Sequence, residues 1–194
     1  MTKIIKKPTT ILYPIPAVMV SCGTGSQANI ITLAWVGTLC SQPPLVGISV
    51  RPSRHSHGLI REAAEFVVNL PDADQVRWVD YCGVVSGRDV DKWAACGFTP
   101  APATEVQTPL IAECPVNIEC RVRRTLSLGS HDLFIGEVLA VQVDEAVLDE
   151  HGRIDFAKAR PFAFLNGEYR QVGELLGRIG YSKKLMVIGT RPGS

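Results

Sequence analysis

The residues best suited to chemistry form a polar segment, RPSRHS at positions 51–56, which separates two strongly apolar runs. Arg54 supplies a guanidinium with directed donors, and Ser56 supplies a hydroxyl just before a stretch typical of a helix start. Such groups, together with the free backbone N–H groups of a helix start, bind phosphate in proteins. We therefore predict a site for a phosphate-bearing ligand at Arg54 and Ser56. The alternative is a solvated loop in which Ser56 is a simple helix cap.

A metal site in the same segment is the weaker hypothesis. His55 and His57 have H-x-H spacing, but the neighbouring sequence offers no carboxylate or cysteine to complete a ligand set. The six cysteines include no C-x-x-C pair, so zinc-ribbon and thioredoxin-like spacings are absent. We expect reduced, partly buried thiols and no bound metal.

Charge is unevenly distributed along the chain. The net charge is only +1, which gives no field favouring nucleic acid or a membrane surface. The basic residues before Glu62 are nevertheless accompanied by no Asp or Glu. Two interpretations of this acid-free region remain open, namely a run of buried strands and an anion-binding site.

A glycine-rich turn at 23–28, GTGSQA, matches the G-x-G-x-x-A pattern of a dinucleotide-binding loop. That loop should open a helix and be followed about 20 residues later by an acidic residue. Here a β-rich stretch, 28–35, follows at once, and the first acidic residue is Glu62. We therefore interpret the motif as a tight hairpin turn.

The elements that must position these residues are mostly strands. PVNIECRVR at 115–123 alternates apolar and polar residues, which is typical of a strand. A turn at 129–132 and a second strand-like stretch, LFIGEVLAVQV at 133–143, follow it, so the pair is predicted to form a hairpin. Further strands are predicted at 15–22, 28–35, 45–50 and 65–70, a helix at 58–65, helical character over 72–97, a Pro/Thr loop at 99–109 and an apolar, aromatic return at 160–169. This order favours a mainly β protein, a small antiparallel barrel with peripheral helices.

The chain is predicted to be a single domain over residues 1–175 with a C-terminal tail at 176–194. Its start has no continuous apolar signal sequence, and no apolar run approaches the roughly 18 residues of a membrane helix, so we expect a cytoplasmic protein. Charged residues make up 20%, which is sparse enough to indicate an oligomer. The absence of a G-x-S-x-G elbow disfavours a hydrolase.

Several stretches in order resemble the flavin reductase-like family with the FMN-binding split barrel, and within it the flavoredoxin group. They are NIITLAW, PPLVGISVRPSRHSHGLI and FVVNL between positions 29 and 70, SGRDVDKW at 86–93, and FLNGEY at 164–169. The resemblance covers roughly residues 10–175. It implies an antiparallel Greek-key split barrel that forms a homodimer with FMN near the subunit interface.

The resemblance also implies which residues contact FMN. Arg54 and Ser56 would hold the phosphate, although many relatives have Thr at the position of Ser56. The backbone from Thr32 to Cys40 would line the isoalloxazine. The full implied set is Asn29, Thr32, Trp35, Thr38, Cys40, Arg54, Ser56, Lys92, His131 and Phe164. Either subunit could supply the last three.

These residues have plausible roles beside a flavin. Lys92 or His131 could stabilise negative charge on the reduced ring, and Trp35 or Phe164 could shield a ring face. No catalytic residue is expected, because hydride passes directly between nicotinamide and flavin. The family likeness implies electron transfer, either as a reductase that uses NADH or NADPH or as a carrier between redox proteins. The alternative is a non-catalytic module that binds FMN or another phosphorylated ligand.

Overall fold

The computed structural model describes residues 1–183, in which strands dominate. The strands are β1 (Ile15–Pro16), β2 (Val18–Cys22), β3 (Asn29–Leu33), β4 (Val36–Ser41), β5 (Pro44–Val50), β6 (Glu65–Leu70), β7 (Pro100–Ala101), β8 (Leu110–Ile111), β9 (Val116–Ser127), β10 (Asp132–Val143), β11 (Phe162–Leu165) and β12 (Glu168–Gln171). The α-helices are α1 (His55–Ala63), α2 (Val76–Val84), α3 (Lys92–Cys96) and α4 (Phe156–Ala159).

Seven of the strands form one curled antiparallel sheet in the order β3-β2-β6-β9-β10-β5-β4. A second sheet, β1-β11-β12, and the pair β7-β8 are much smaller. Register shifts in β10 and β4 increase the curl, because a bulge bends and twists its strand. The arrangement confirms the prediction of an antiparallel, mainly β barrel with helices around it.

The strands at the start of the sheet are buried on both faces. Val18 and Val20 point into one apolar core, shared with α1 and Phe134, while Met19 points into another, shared with α2 and α3. A strand covered on both sides needs apolar residues throughout, since its side chains alternate between the faces. This explains why β2 is almost entirely apolar, with Ser21 as its one polar residue and its hydroxyl bonded to the Pro109 carbonyl.

The predicted hairpin is present and longer than expected. β9 and β10 pair from Val116 opposite Val143 to Ser127 opposite Asp132, so that the connecting turn spans 128–131. The Phe66 ring packs against the backbone of Gly136, where a Cβ would come within 2.6 Å of that ring. The hairpin therefore packs closely on the core and presents His131 at its tip.

Two predicted boundaries were wrong around the polar segment. The predicted strand 28–35 ends at Leu33, where the chain bends, and the unpredicted strand β4 follows it. The helix begins at His55 rather than at residue 58, and its cap is the extended Arg54 rather than Ser56. The helical character predicted over 72–97 is confirmed by α2 and α3, which a non-helical segment, 85–91, separates.

Other predictions fared better. The turn after β2 does lead into β3, with one short 3-10 turn at Gly25–Gln27, and the stretch 160–169 contains the β11–β12 hairpin. All six cysteines are free, and five of them are buried. Across residues 1–183, no helix combines the length and apolar character needed to cross a bilayer. The end of the predicted tail, 184–194, lies outside the described residues.

Candidate functional site

A cationic cavity of about 410 Å³ lies where β3, the 51–56 loop and the end of α2 meet. Its charged lining residues are Arg51, Arg54, Arg88 and Lys92, and no carboxylate of the described residues lines it. Cations that line a cavity attract anions, and the low polarity of the cavity strengthens that attraction. Arg54 and Ser56, where the sequence predicts an anion site, both line this cavity.

Asn29 and Ser56 form the floor of this cavity. The Asn29 side-chain amide Nδ2 donates to Ser56 Oγ at 2.8 Å, and both residues are buried. Since Oγ is the acceptor in this bond, the Ser56 hydroxyl still has one hydrogen to donate. The structure thus brings together two residues 27 positions apart in the sequence and gives Ser56 a role other than capping.

Gly87 allows the segment after α2 to close over this floor. A Cβ at this position would lie 2.2 Å from Asn29 Oδ1 and 2.6 Å from its Cγ, closer than side-chain atoms approach one another. Only a residue without a side chain fits there. The backbone at 86–88 therefore forms a wall of the cavity directly against Asn29.

Lys92 enters the cavity from the first turn of α3. It is buried, and its Nζ donates to the backbone carbonyls of Ile30 and Cys82, each at 2.8 Å. An ammonium has three donors, so one remains after these two bonds. Burial holds the pKa of Lys92 below its usual value, and neighbouring Arg54 lowers it further. Lys92, which the resemblance places beside FMN, is therefore a buried residue of the cavity wall.

Arg51 and Arg88 line the cavity but were not singled out from the sequence. Arg88 reaches across to the polar loop, where its Nη1 donates to the Ser53 carbonyl at 3.2 Å. The signals were present, since Arg51 lies in the acid-free region and Arg88 in SGRDVDKW. Nothing local, however, shows that residues 35 positions apart share one cavity.

Trp35 and His131 form an aromatic pair beside the cavity. Their ring centroids are 4.5 Å apart at an interplanar angle of 43°, and Trp35 is 42% exposed. Burial lowers the pKa of His131, and the nearby charge of Arg51 lowers it further. Since Arg51 also lines the cavity, it marks the place where the cavity and the aromatic pair adjoin.

The remaining predicted contacts are placed elsewhere in the chain. Phe164 packs between Tyr13 and Tyr169 in the small sheet and does not line the cavity. Thr32 Oγ1 donates to the Val79 carbonyl in α2, so its side chain is directed into the protein.

Thr38 and Cys40 lie on the edge strand β4, where Thr38 is exposed. The Cys40 thiol donates to the Gln42 carbonyl at 3.4 Å. The Thr38 side chain is therefore open to solvent, while the Cys40 thiol is bonded within its own turn.

His57 has a carboxylate partner that the sequence did not reveal. Its Nε2 lies 2.8 Å from Asp132 Oδ2, although 75 residues separate the two. The argument against a metal at His55 and His57 was therefore wrong in assuming that no carboxylate is near. Among residues 1–183, no three His, Cys, Asp or Glu side chains are grouped as metal ligands.

The combined geometry suits a ligand with an anionic end and a planar end. The cavity offers cations, a hydroxyl and a third lysine proton to the anionic end. The exposed Trp35 ring offers a surface against which a planar group can stack.

Comparison with known proteins agrees with this geometry. A flavoredoxin of Desulfovibrio vulgaris is 34% identical and superposes with a TM-score of 0.87 over 94% of this chain and 100% of its own. A flavoredoxin of Methanosarcina acetivorans is 32% identical, with a TM-score of 0.89 over 96% and 100%. An FMN-binding protein from Thermus thermophilus is 26% identical, with a TM-score of 0.78 over 92% and 99%. Residues 11–173 match the flavin reductase like domain, and the chain therefore belongs to that family, with the split-barrel fold of the flavoredoxins.

Proposed function

We propose that this protein is an FMN-dependent redox flavoprotein of the cytoplasm that transfers electrons. The observation that carries the proposal is the carboxylate-free cationic cavity next to the exposed Trp35–His131 pair. Solved relatives named as flavoredoxins and as an FMN-binding protein support a flavin as the ligand. Residues 1–175 would form the functional domain.

The residues present fit the phosphate of FMN. A phosphate monoester carries close to two negative charges, which Arg54 and Lys92 alone would balance. Ser56 adds a hydroxyl donor on a floor fixed by Asn29, and Gly87 leaves the room that a side chain would fill. The fit therefore rests on charge, on donors and on space.

The ring of FMN would extend from the cavity toward Trp35 and His131. Bound FMN supplies the chemistry of accepting and releasing one or two electrons. Trp35 would cover part of a ring face, while the backbone of 32–40 would offer hydrogen-bonding groups along its edge. Lys92 would direct its remaining proton to a ligand oxygen, which favours negative charge there.

A homodimer would complete the site. Large apolar side chains are exposed near both ends of the described chain and on β4, including Ile11, Leu12, Leu39 and Leu176. An apolar cavity of about 630 Å³ lies between residues 9–15 and 34–36, adjacent to Trp35. Phe164, which lies away from the cavity in one chain, would then be available to the site of the partner chain.

The first test is reconstitution of the purified protein with FMN. The wild type should bind FMN in equimolar amount, with quenched flavin fluorescence. Lys92→Met, which keeps the length of the side chain but removes its charge, should weaken binding by about tenfold or more, because it removes a charge-assisted bond. A wild type that stays colourless after incubation with FMN would refute the proposal.

A second measurement separates the two forms of electron transfer. The reconstituted protein is mixed anaerobically with NADH or NADPH, and the flavin absorbance is followed. Rapid bleaching identifies a reductase and its donor. Persistent yellow colour, with bleaching by dithionite, identifies a carrier that receives electrons from another protein.

A further inference from the structure

A partly buried hydrogen bond joins the start of α1, next to the cationic cavity, to the tip of the β9–β10 hairpin, next to the Trp35–His131 pair. His57 Nε2 faces Asp132 Oδ2 at 2.8 Å, with side-chain exposures of 8% and 18%. The His57 ring also meets Phe134 edge-to-face, with centroids 5.2 Å apart. The imidazole therefore has a fixed position between α1 and β10.

The sequence neighbours of this pair are the proposed ligand contacts. His57 directly follows Ser56 in the first turn of α1, and Asp132 directly follows His131 at the tip of the hairpin. Asp132 also pairs with Val50, the residue before Arg51. One hydrogen bond thus ties the backbone that carries the cavity hydroxyl to the backbone that carries the aromatic pair.

We propose that the His57–Asp132 hydrogen bond is a positioning contact that sets the distance between the cationic cavity and the Trp35–His131 pair. This inference depends on the proposed function, because it assumes that one ligand spans both. Neither side chain lines the 410 Å³ cavity, so the pair acts through Ser56 and His131. The hydrogen bond with His57 holds the pKa of Asp132 below its usual value, and Ser127 and Arg61, which also lower that pKa, remain when His57 is changed.

The test compares variants that keep or remove the donor. His57→Gln retains an N–H donor toward Asp132, while His57→Leu fills similar space without one. Asp132→Ala breaks the same contact from its more exposed side and serves if His57→Leu does not fold. Asp74→Ala is the matched control, because it removes a carboxylate paired with Arg160 away from the cavity.

FMN dissociation constants are measured by fluorescence quenching after the wild type has been shown to bind FMN. His57→Leu and Asp132→Ala should each weaken binding by about tenfold, because misplacing Ser56 would weaken its hydrogen bond to the charged phosphate. His57→Gln should stay within about threefold of the wild type, and Asp74→Ala should be unchanged.

A double-mutant cycle distinguishes positioning from general destabilisation. Trp35→Leu should cost less affinity in the His57→Leu background than in the wild type, because the ring contact is already misplaced. Additive effects, an unchanged affinity in His57→Leu, or equal losses in His57→Leu and His57→Gln would overturn the inference. If the wild type itself binds no FMN, the proposed function fails first and the inference falls with it.

Discussion

Replacing Ser56 by Ala tests the floor of the cavity at its centre. The change removes an oxygen that accepts from Asn29 Nδ2 at 2.8 Å in a place where both residues are buried. It also removes the hydroxyl hydrogen that a phosphate oxygen would accept. Ser56→Thr keeps both functions, so its effect should be small if the hydroxyl is what matters.

The size of the effect follows from these two bonds. A hydrogen bond to a charged group contributes about 1.5–3 kcal/mol, so the loss of the phosphate contact should raise the FMN dissociation constant by roughly 10- to 150-fold. The unpaired Asn29 amide should separately lower the free energy of unfolding of the FMN-free protein by about 1–3 kcal/mol.

Titration of the FMN-free protein with FMN, followed by fluorescence, measures the first effect, and urea unfolding measures the second. Thr108→Val is the matched control, since Thr108 is also fully buried and bonded through its hydroxyl, to Glu65, but does not line the cavity. It should lose stability without losing FMN affinity. An FMN dissociation constant for Ser56→Ala within twofold of the wild type would refute the assignment of Ser56 to the phosphate.

Two further predictions concern space and charge. Gly87→Ala should displace Asn29 from Ser56, since its Cβ would lie 2.2 Å from Asn29 Oδ1, and should weaken FMN binding by about tenfold. Gly173→Ala is the control, because a Cβ there meets open space, and its FMN affinity should not change. Equal FMN affinities of the two variants would contradict the packing argument. Burial raises the pKa of Glu119, but hydrogen bonds from Gln142 and from backbone N–H groups outweigh burial and hold that pKa below 4.5. The ionised Glu119 should therefore stabilise the fold fully above about pH 4.5, and this stabilisation should be lost as the pH falls through the lowered pKa. Glu119→Gln should therefore lower the free energy of unfolding by about 1–3 kcal/mol at pH 7 and make that free energy less dependent on pH in the acid range. Urea unfolding at several pH values measures both effects, and an unchanged pH dependence would contradict the argument.

The parts of the fold that could be predicted are those with a short-range signal. The β9–β10 hairpin was found because its apolar residues alternate with period two, a pattern that needs only neighbouring residues. The true start of α1 at His55 was missed, because Arg54 caps it through an extended backbone without a side-chain bond. β4 was missed because an edge strand exposes much of its surface and carries no apolar alternation.

The residues of the candidate site also differ in whether a short-range signal in the sequence could identify them. Arg54 and Ser56 were recognisable because guanidinium and hydroxyl stand together in one loop. Arg88 and Asp132 were not, because their partners lie 35 and 75 residues away. Chemistry that depends on residues of one loop can be predicted from sequence, while contacts between loops require the fold that brings them together.

The placement of the acidic residues explains how a nearly neutral chain keeps a strongly basic cavity. All Asp and Glu follow residue 61, and several have structural duties: Glu119 accepts from the backbone N–H groups of Thr104 and Glu105, Asp91 caps α3, and Asp132 faces His57. None of these carboxylates lines the 410 Å³ cavity. The phosphate of the proposed ligand would therefore meet positive charge in a partly desolvated place, where attraction exceeds that in bulk water. The same argument explains why Lys92 tolerates burial: two carbonyls hold its ammonium, and its third proton has no better acceptor than an anionic ligand.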